Sequence, residues 1–115
     1  MALSALAVGL GGVAGALARY GVGLAIEGRA RDTLAVNVVG SFVLGVVLGV
    51  DVGTTALLAI GVGFCGAFTT FSSFAVETIR LLEDDYPRAA AVNAVGTLVL
   101  AVLAVVVGTA IGRAL

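Results

Sequence analysis

The sequence predicts an all-α integral membrane domain: residues 1–115 form a single unit of four transmembrane helices, the third broken near its centre. Three observations lead there. Of 115 residues, 61% are hydrophobic and only 11% are charged, with a mean hydropathy of +1.22; a soluble domain carries about 25% charged residues. Short polar links divide the chain into four apolar stretches, each near the roughly 20 residues that cross a hydrocarbon core of about 30 Å. The third stretch contains Gly63 to Phe74, twelve residues with two glycines, four hydroxyls and four phenylalanines. Such a run bends a helix and frees carbonyls, which membrane depth tolerates only where protein buries them or a cavity receives them.

The first span is expected from about Leu3 to Ile26. It lacks a basic leader segment and runs on through Arg19 and Tyr20, so it reads as a retained span, not a cleaved signal. The polar link Glu27 to Asp32 follows, and Asp32 or Thr33 is the expected N-cap of the second span, about Leu34 to Val50. After Asp51-Val52-Gly53, Thr54 or Thr55 is the expected cap of the third, which continues to about Leu82. The acidic turn Glu83 to Tyr86 precedes Pro87, the only proline, which suits a first helical turn because its missing N–H is not needed there. The fourth span covers about Arg88 to Ile111. Short links make sequence neighbours antiparallel.

Seventeen glycines in such a chain point to close helix packing. Gly11 and Gly15, Gly45 and Gly49, and Gly108 and Gly112 are each four apart, the spacing that lets membrane helices approach backbone to backbone. Four thin helices enclose little interior, so some of these faces are expected at a subunit interface. With no His and one Cys, a transition-metal site is not expected, and Cys65 reads as a small buried hydrophobe. No nucleophile–base pair is visible, so no enzyme is expected, and no nucleic-acid partner.

Polar residues inside the spans carry the functional signal. Asn37 lies in the second span, close to Gly40 and Ser41, and Asn93 and Thr97 are one turn apart on the fourth. Thr69, Thr70, Ser72 and Ser73 lie near the centre of the third. A lone hydroxyl can bond back to the carbonyl four residues earlier. An Asn amide brings two donors and an acceptor and is harder to hide. Two Asn on separate spans, both near hydroxyls, therefore favour a polar track for an ion. Arg19 is the only arginine well inside a span; it either snorkels to the nearer interface beside Tyr20 or concentrates anions at a pore mouth. Phe71 and Phe74 are three apart and share a helix face.

The segments Gly11 to Tyr20, Thr33 to Phe42 (with Val36-Asn37-Val38-Val39-Gly40-Ser41) and Gly63 to Phe74 (with Thr69-Thr70-Phe71-Ser72-Ser73-Phe74) resemble the Fluc (CrcB) fluoride channels over all four spans in order. On the fourth span the family often has a tyrosine followed one turn later by a serine, where this chain has Asn93 and Thr97. The resemblance implies an antiparallel, dual-topology dimer of a multi-pass cell-membrane protein, enclosing two fluoride pores for passive export. It implies a pore lined by the ring edges of Phe71 and Phe74, with Asn37 as a donor. Thr70, Ser72, Ser73, Asn93 and Thr97 are the further pore candidates, and Arg19 the candidate for the mouth. It also implies a structural sodium ion at the dimer centre, held by the main-chain carbonyls of Gly66 and Thr69. The expected partners are thus fluoride, sodium, lipid and a second subunit. A runner-up, the small four-span proton-coupled multidrug antiporter, needs a carboxylate within the first span, and there is none before Glu27. A non-conducting membrane scaffold would explain the glycines but not the paired Asn and the hydroxyl-rich break.

Charge sets an expectation for orientation. Arg29, Arg31, Arg80 and Arg88 flank the first and third links, whereas the other side has Arg113 and the terminal amine. Arginines near span ends favour the cytoplasm. Cytoplasmic first and third links and external termini are expected, which admits a heterodimer with an oppositely oriented homologue beside the default homodimer.

Overall fold

In the computed structural model, residues 2–27 and 30–115 are described, so Arg29 of the orientation argument lies outside the described residues. Every element among them is helical. Helix α1 is Ala2–Ala25 and α2 is Arg31–Gly49. The third span comprises α3 (54–68) and α4 (Phe71–Glu83), separated by two extended residues, Thr69 and Thr70. Helix α5 is Pro87–Ala114, with Pro87 in its first turn. The four spans are 24, 19, 30 and 28 residues long, each long and apolar enough to cross a membrane. The protein is a multi-pass membrane protein.

Helix starts differ from expectation at two links. The second helix begins at Arg31, and its N-cap is Ala30 in the left-handed conformation (φ 67°) without a side-chain cap bond, so neither Asp32 nor Thr33 caps it. Thr33 instead turns its hydroxyl to Glu77. The third span is preceded by Gly53 at φ 85°, so Thr54 is the first helical residue and neither Thr54 nor Thr55 is the cap. A positive φ suits glycine, which has no Cβ to strain.

The bundle is built from alternate spans running parallel. Gly11 and Gly15 lie against Ala59 and Phe64, and Gly63 lies against Val8 and Gly12, so α1 and α3 advance together. Gly45 and Gly49 meet the backbone of Val105 and Thr109, while Gly108 and Gly112 meet Phe42 and Val46, which pairs α2 with α5 in the same sense. All three predicted glycine pairs therefore pack inside this chain. Their faces are not those left for a second subunit. A Cβ on Gly15 would strike the Phe64 carbonyl oxygen, and one on Gly108 that of Phe42. Contact this close replaces the hydrophobic effect, which is weak between helices in lipid, with dispersion and short Cα–H···O contacts.

The segment Leu58–Cys65 of α3 is π-helical, a feature the sequence reading does not contain. The wider turn faces the α1 glycines, and π segments recur at functional sites. Among the described residues the buried hydrophobic side chains are few: Val36, Val47, Cys65, Phe68 and Ala90, joined by the hydroxyl-bearing Thr33, Thr70 and Thr97. Cys65 is a buried free thiol, as expected for a small hydrophobe. Long rows of exposed Leu and Val, such as Leu3, Leu10 and Leu17 on α1, face outward as a lipid-contacting helix requires.

Candidate functional site

The break in the third span is the origin of the site. The α-helical ladder ends where the Thr69 N–H reaches the Cys65 carbonyl (3.0 Å). The Thr69 hydroxyl also bonds that carbonyl (2.8 Å), satisfying itself locally. Thr70 then takes an extended conformation (φ −150°, ψ 116°) and caps α4, its hydroxyl accepting the Ser73 N–H at 3.2 Å. A threonine N-cap is worth about 1 kcal/mol to a helix, so the second half of the span starts here for a local reason. In an unbroken helix the N–H groups of Thr70 and Ser73 would serve the carbonyls of Gly66 and Thr69. Both are diverted, to Asn37 Oδ1 and Thr70 Oγ1, and those two carbonyls lose their helical donors.

Asn37 stabilises the extended residue from α2. Its Nδ2 donates to the Thr70 carbonyl (3.0 Å) and its Oδ1 accepts the Thr70 N–H (2.7 Å). The amide thus acts like a strand neighbour at the one point where the membrane helix has none. One turn along α2, the Ser41 hydroxyl donates to the Asn37 carbonyl at 2.6 Å.

Beside the break lies a cleft of ≈ 390 Å³, and Asn37, Thr69, Thr70, Phe71, Phe74 and Thr97 line it together with Gly66. The Phe71 and Phe74 rings are 5.8 Å apart and tilted by 52°, so their edges are not stacked away. Phe71 is 79% exposed on the open side of the cleft. Phe64 and Phe68, by contrast, stack at 5.4 Å within α3, and Phe68 is buried. Thr97 is 7% exposed and its hydroxyl makes no hydrogen bond within the described residues, leaving a donor in the cleft.

The remaining predicted residues are not brought to the cleft. Ser72 is exposed and within 3.3 Å of the Thr70 hydroxyl. Arg19 donates to the Ser73 hydroxyl at 3.2 Å, and both line a smaller chamber of ≈ 130 Å³ with Asp32, Thr33 and Glu77. Arg19 is partly buried there, against a polar chamber. Asn93 donates to the Thr78 hydroxyl at 2.9 Å, and that hydroxyl donates to the Phe74 carbonyl at 2.9 Å.

Thr33, Glu77 and Thr78 enter the site without having been assigned to it from sequence. Thr33 donates to Glu77 Oε1 at 2.8 Å, while Glu77 Oε2 is buried without a partner. A signal for them exists: Thr33, Asn37 and Ser41 form a four-residue stripe on α2, and Thr70, Phe74 and Thr78 repeat that spacing on the third span. Among the described residues, no group of three His, Cys, Asp or Glu could hold a metal.

Residues 6–109 match the family described as CrcB-like protein, Camphor Resistance (CrcB). The chain belongs to the CrcB family. Among its relatives, fluoride-specific ion channel FluC 2 of Natronomonas pharaonis is 63% identical over 113 residues, covering 98% of this chain and 97% of the relative. FluC 2 of Haloarcula marismortui is 49% identical over 104 residues, 89% of this chain and 87% of the relative. FluC 1 of the same organism is 46% identical over 111 residues, 92% and 83% respectively. This CrcB protein therefore matches these relatives over most of their length.

Proposed function

We propose that the protein is a fluoride-selective channel giving passive export of fluoride across the cell membrane, with two pores per antiparallel dimer. The observation that carries this is the convergence of Asn37, Phe71, Phe74 and Thr97 on one cleft at the helix break. Each supplies positive character without a formal charge. An aromatic ring is positive along its edge. Asn37 spends one amide hydrogen on Thr70 and keeps the second. The Thr97 hydroxyl is uncommitted. Fluoride is small and strongly hydrated, so these donors replace water as it enters, and a series of weak sites lets it leave again. The channel names of the relatives support the same ion.

The dimer supplies what the single chain leaves open. Phe71 projects from the open side of the cleft, and a second, inverted subunit would close it. The carbonyls of Gly66 and Thr69, stripped of helical donors, fit the structural sodium ion: they are hard oxygen ligands, and two such breaks crossing would hold the ion between subunits. The sodium ion would offset the carbonyl dipoles at the centre of the dimer.

Arg31, Arg80 and Arg88 lie by the first and third links, and Arg113 alone by the opposite side. This bias supports cytoplasmic links, and Haloarcula marismortui holds two relatives, FluC 1 and FluC 2. A heterodimer with an oppositely biased homologue is therefore the alternative to a homodimer. Cysteine-accessibility labelling of a terminal tag separates them: equal labelling from both sides of intact cells means a dual-topology homodimer. The antiporter reading has no support, since α1 contains no carboxylate.

Fluoride efflux from sealed liposomes tests the function. Reconstituted protein should empty fluoride-loaded vesicles while leaving chloride-loaded ones full. Vesicles that retain fluoride would overturn the proposal.

A further inference from the structure

Helix α4 carries the Phe71–Phe74 pair, yet none of its thirteen residues is buried. With so little core, packing alone gives weak resistance to rotation of the helix about its own axis. Among the described residues, three bonds between side chains tie it to other spans. Arg19 of α1 holds Ser73, Thr33 of α2 holds Glu77, and Asn93 of α5 holds Thr78. Ser73 and Glu77 are one turn apart and so share a face. Thr78 lies about 140° round the helix from Ser73. It shares its face with Phe74, four residues before it. The Arg19 and Thr33 bonds thus fix one side of α4, and on the side bearing Phe74 Asn37 holds the N-cap Thr70 while, among the described residues, the Asn93 bond fixes the turn beyond Phe74.

We propose that Asn93 is a positioning residue that sets the Phe74 ring in the pore, acting through Thr78; the inference rests on the channel reading above. The bonds run in one direction, Asn93 amide to Thr78 hydroxyl to Phe74 carbonyl, each 2.9 Å long. Donors and acceptors aligned this way polarise and strengthen one another. The last acceptor belongs to the residue whose ring lines the cleft. One turn beyond Asn93 on α5, Thr97 offers its free hydroxyl to the same cleft. The tether therefore fixes the separation between two groups that would meet the ion together, the Phe74 ring edge and the Thr97 hydroxyl. Asn93 itself stays out of the cleft and acts at one remove.

The test compares Asn93→Leu, Thr78→Val, Thr78→Ser and the double variant Asn93→Leu/Thr78→Val with the parent in liposomes, normalised to assembled protein. Fluoride flux and the fluoride-over-chloride ratio are read together. Each of the first two variants should lose about three- to tenfold in flux, the size of one interhelical membrane hydrogen bond, with a lower ratio. The double should be no worse than either single, because both cut one chain, and Thr78→Ser should match the parent. If Asn93→Leu does not assemble, Thr78→Val, which is nearly the same shape, decides. Parental flux and ratio in the singles, or losses that multiply in the double, would overturn the proposal. So would lower yield of assembled protein with unchanged flux per channel, which marks ordinary helix adhesion. A parent that carries no fluoride overturns the channel reading and this proposal together; an active parent with unaffected variants overturns this proposal alone.

Discussion

Asn37 pairs both backbone polar groups of Thr70, donating to its carbonyl at 3.0 Å and accepting its N–H at 2.7 Å. Only one amide orientation satisfies both bonds, because the flipped side chain would set donor against donor and oxygen against oxygen. The side chain that the sequence marks as a pore donor is therefore also the clamp that holds the helix break open.

Asn37→Asp should lower fluoride flux by about tenfold or more while the protein still assembles. It removes the donor to the Thr70 carbonyl, sets a carboxylate against it and repels the anion; a buried polar group left unpaired costs about 1–3 kcal/mol. Vesicle efflux with size-exclusion chromatography checks both halves. Unchanged flux would remove Asn37 from the pathway.

Phe71→Ile and Phe74→Ile should each reduce flux, by up to about tenfold, since isoleucine keeps bulk but lacks a polarised ring edge worth about 0.5–1.5 kcal/mol. The stability cost should differ between them. Phe71, 79% exposed in the single chain, gives up little intrachain packing, while the half-buried Phe74 gives up more. Parental flux in both variants would show that ring edges do not contact the ion.

Gly108→Val should destabilise the protein by about 1–3 kcal/mol or prevent its assembly, because the new Cβ meets the Phe42 carbonyl across the α2–α5 crossing. Gly96→Ala on the same helix is the control, with nothing within 4 Å of the added carbon. It should be neutral or stabilising, by up to about 1 kcal/mol. Thermal unfolding of the detergent-solubilised protein separates the two; equal behaviour would contradict the crossing.

Replacing sodium completely with a bulky organic cation should weaken the dimer or its activity. Thr69→Ser should leave the sodium dependence intact, since the proposed ligands are main-chain carbonyls and serine keeps the hydroxyl bond to Cys65. A dimer equally stable and active without sodium would argue against the site.

Four spans, their short links and the interruption between Gly63 and Phe74 are legible in the sequence because each depends on local quantities. Hydropathy over about 20 residues decides what lipid accepts, and glycine with clustered hydroxyls decides where a helix weakens. The same locality explains the errors. Asp32, Thr33, Thr54 and Thr55 all have cap chemistry, but Ala30 and Gly53 hold the positions, because the path of the incoming chain selects the cap. Gly45 and Gly108 announce close approach without naming a partner; only the folded bundle pairs α2 with α5 and turns both glycines inward. Similarly, Asn37 and Asn93 look equivalent in the sequence, two amides in apolar helices. The tertiary structure separates them: one pairs the two backbone groups of an extended Thr70, the other donates to the threonine hydroxyl that bonds the Phe74 carbonyl. An amide bonds whatever polar group the fold brings within about 3 Å, and that neighbour comes from a distant part of the chain.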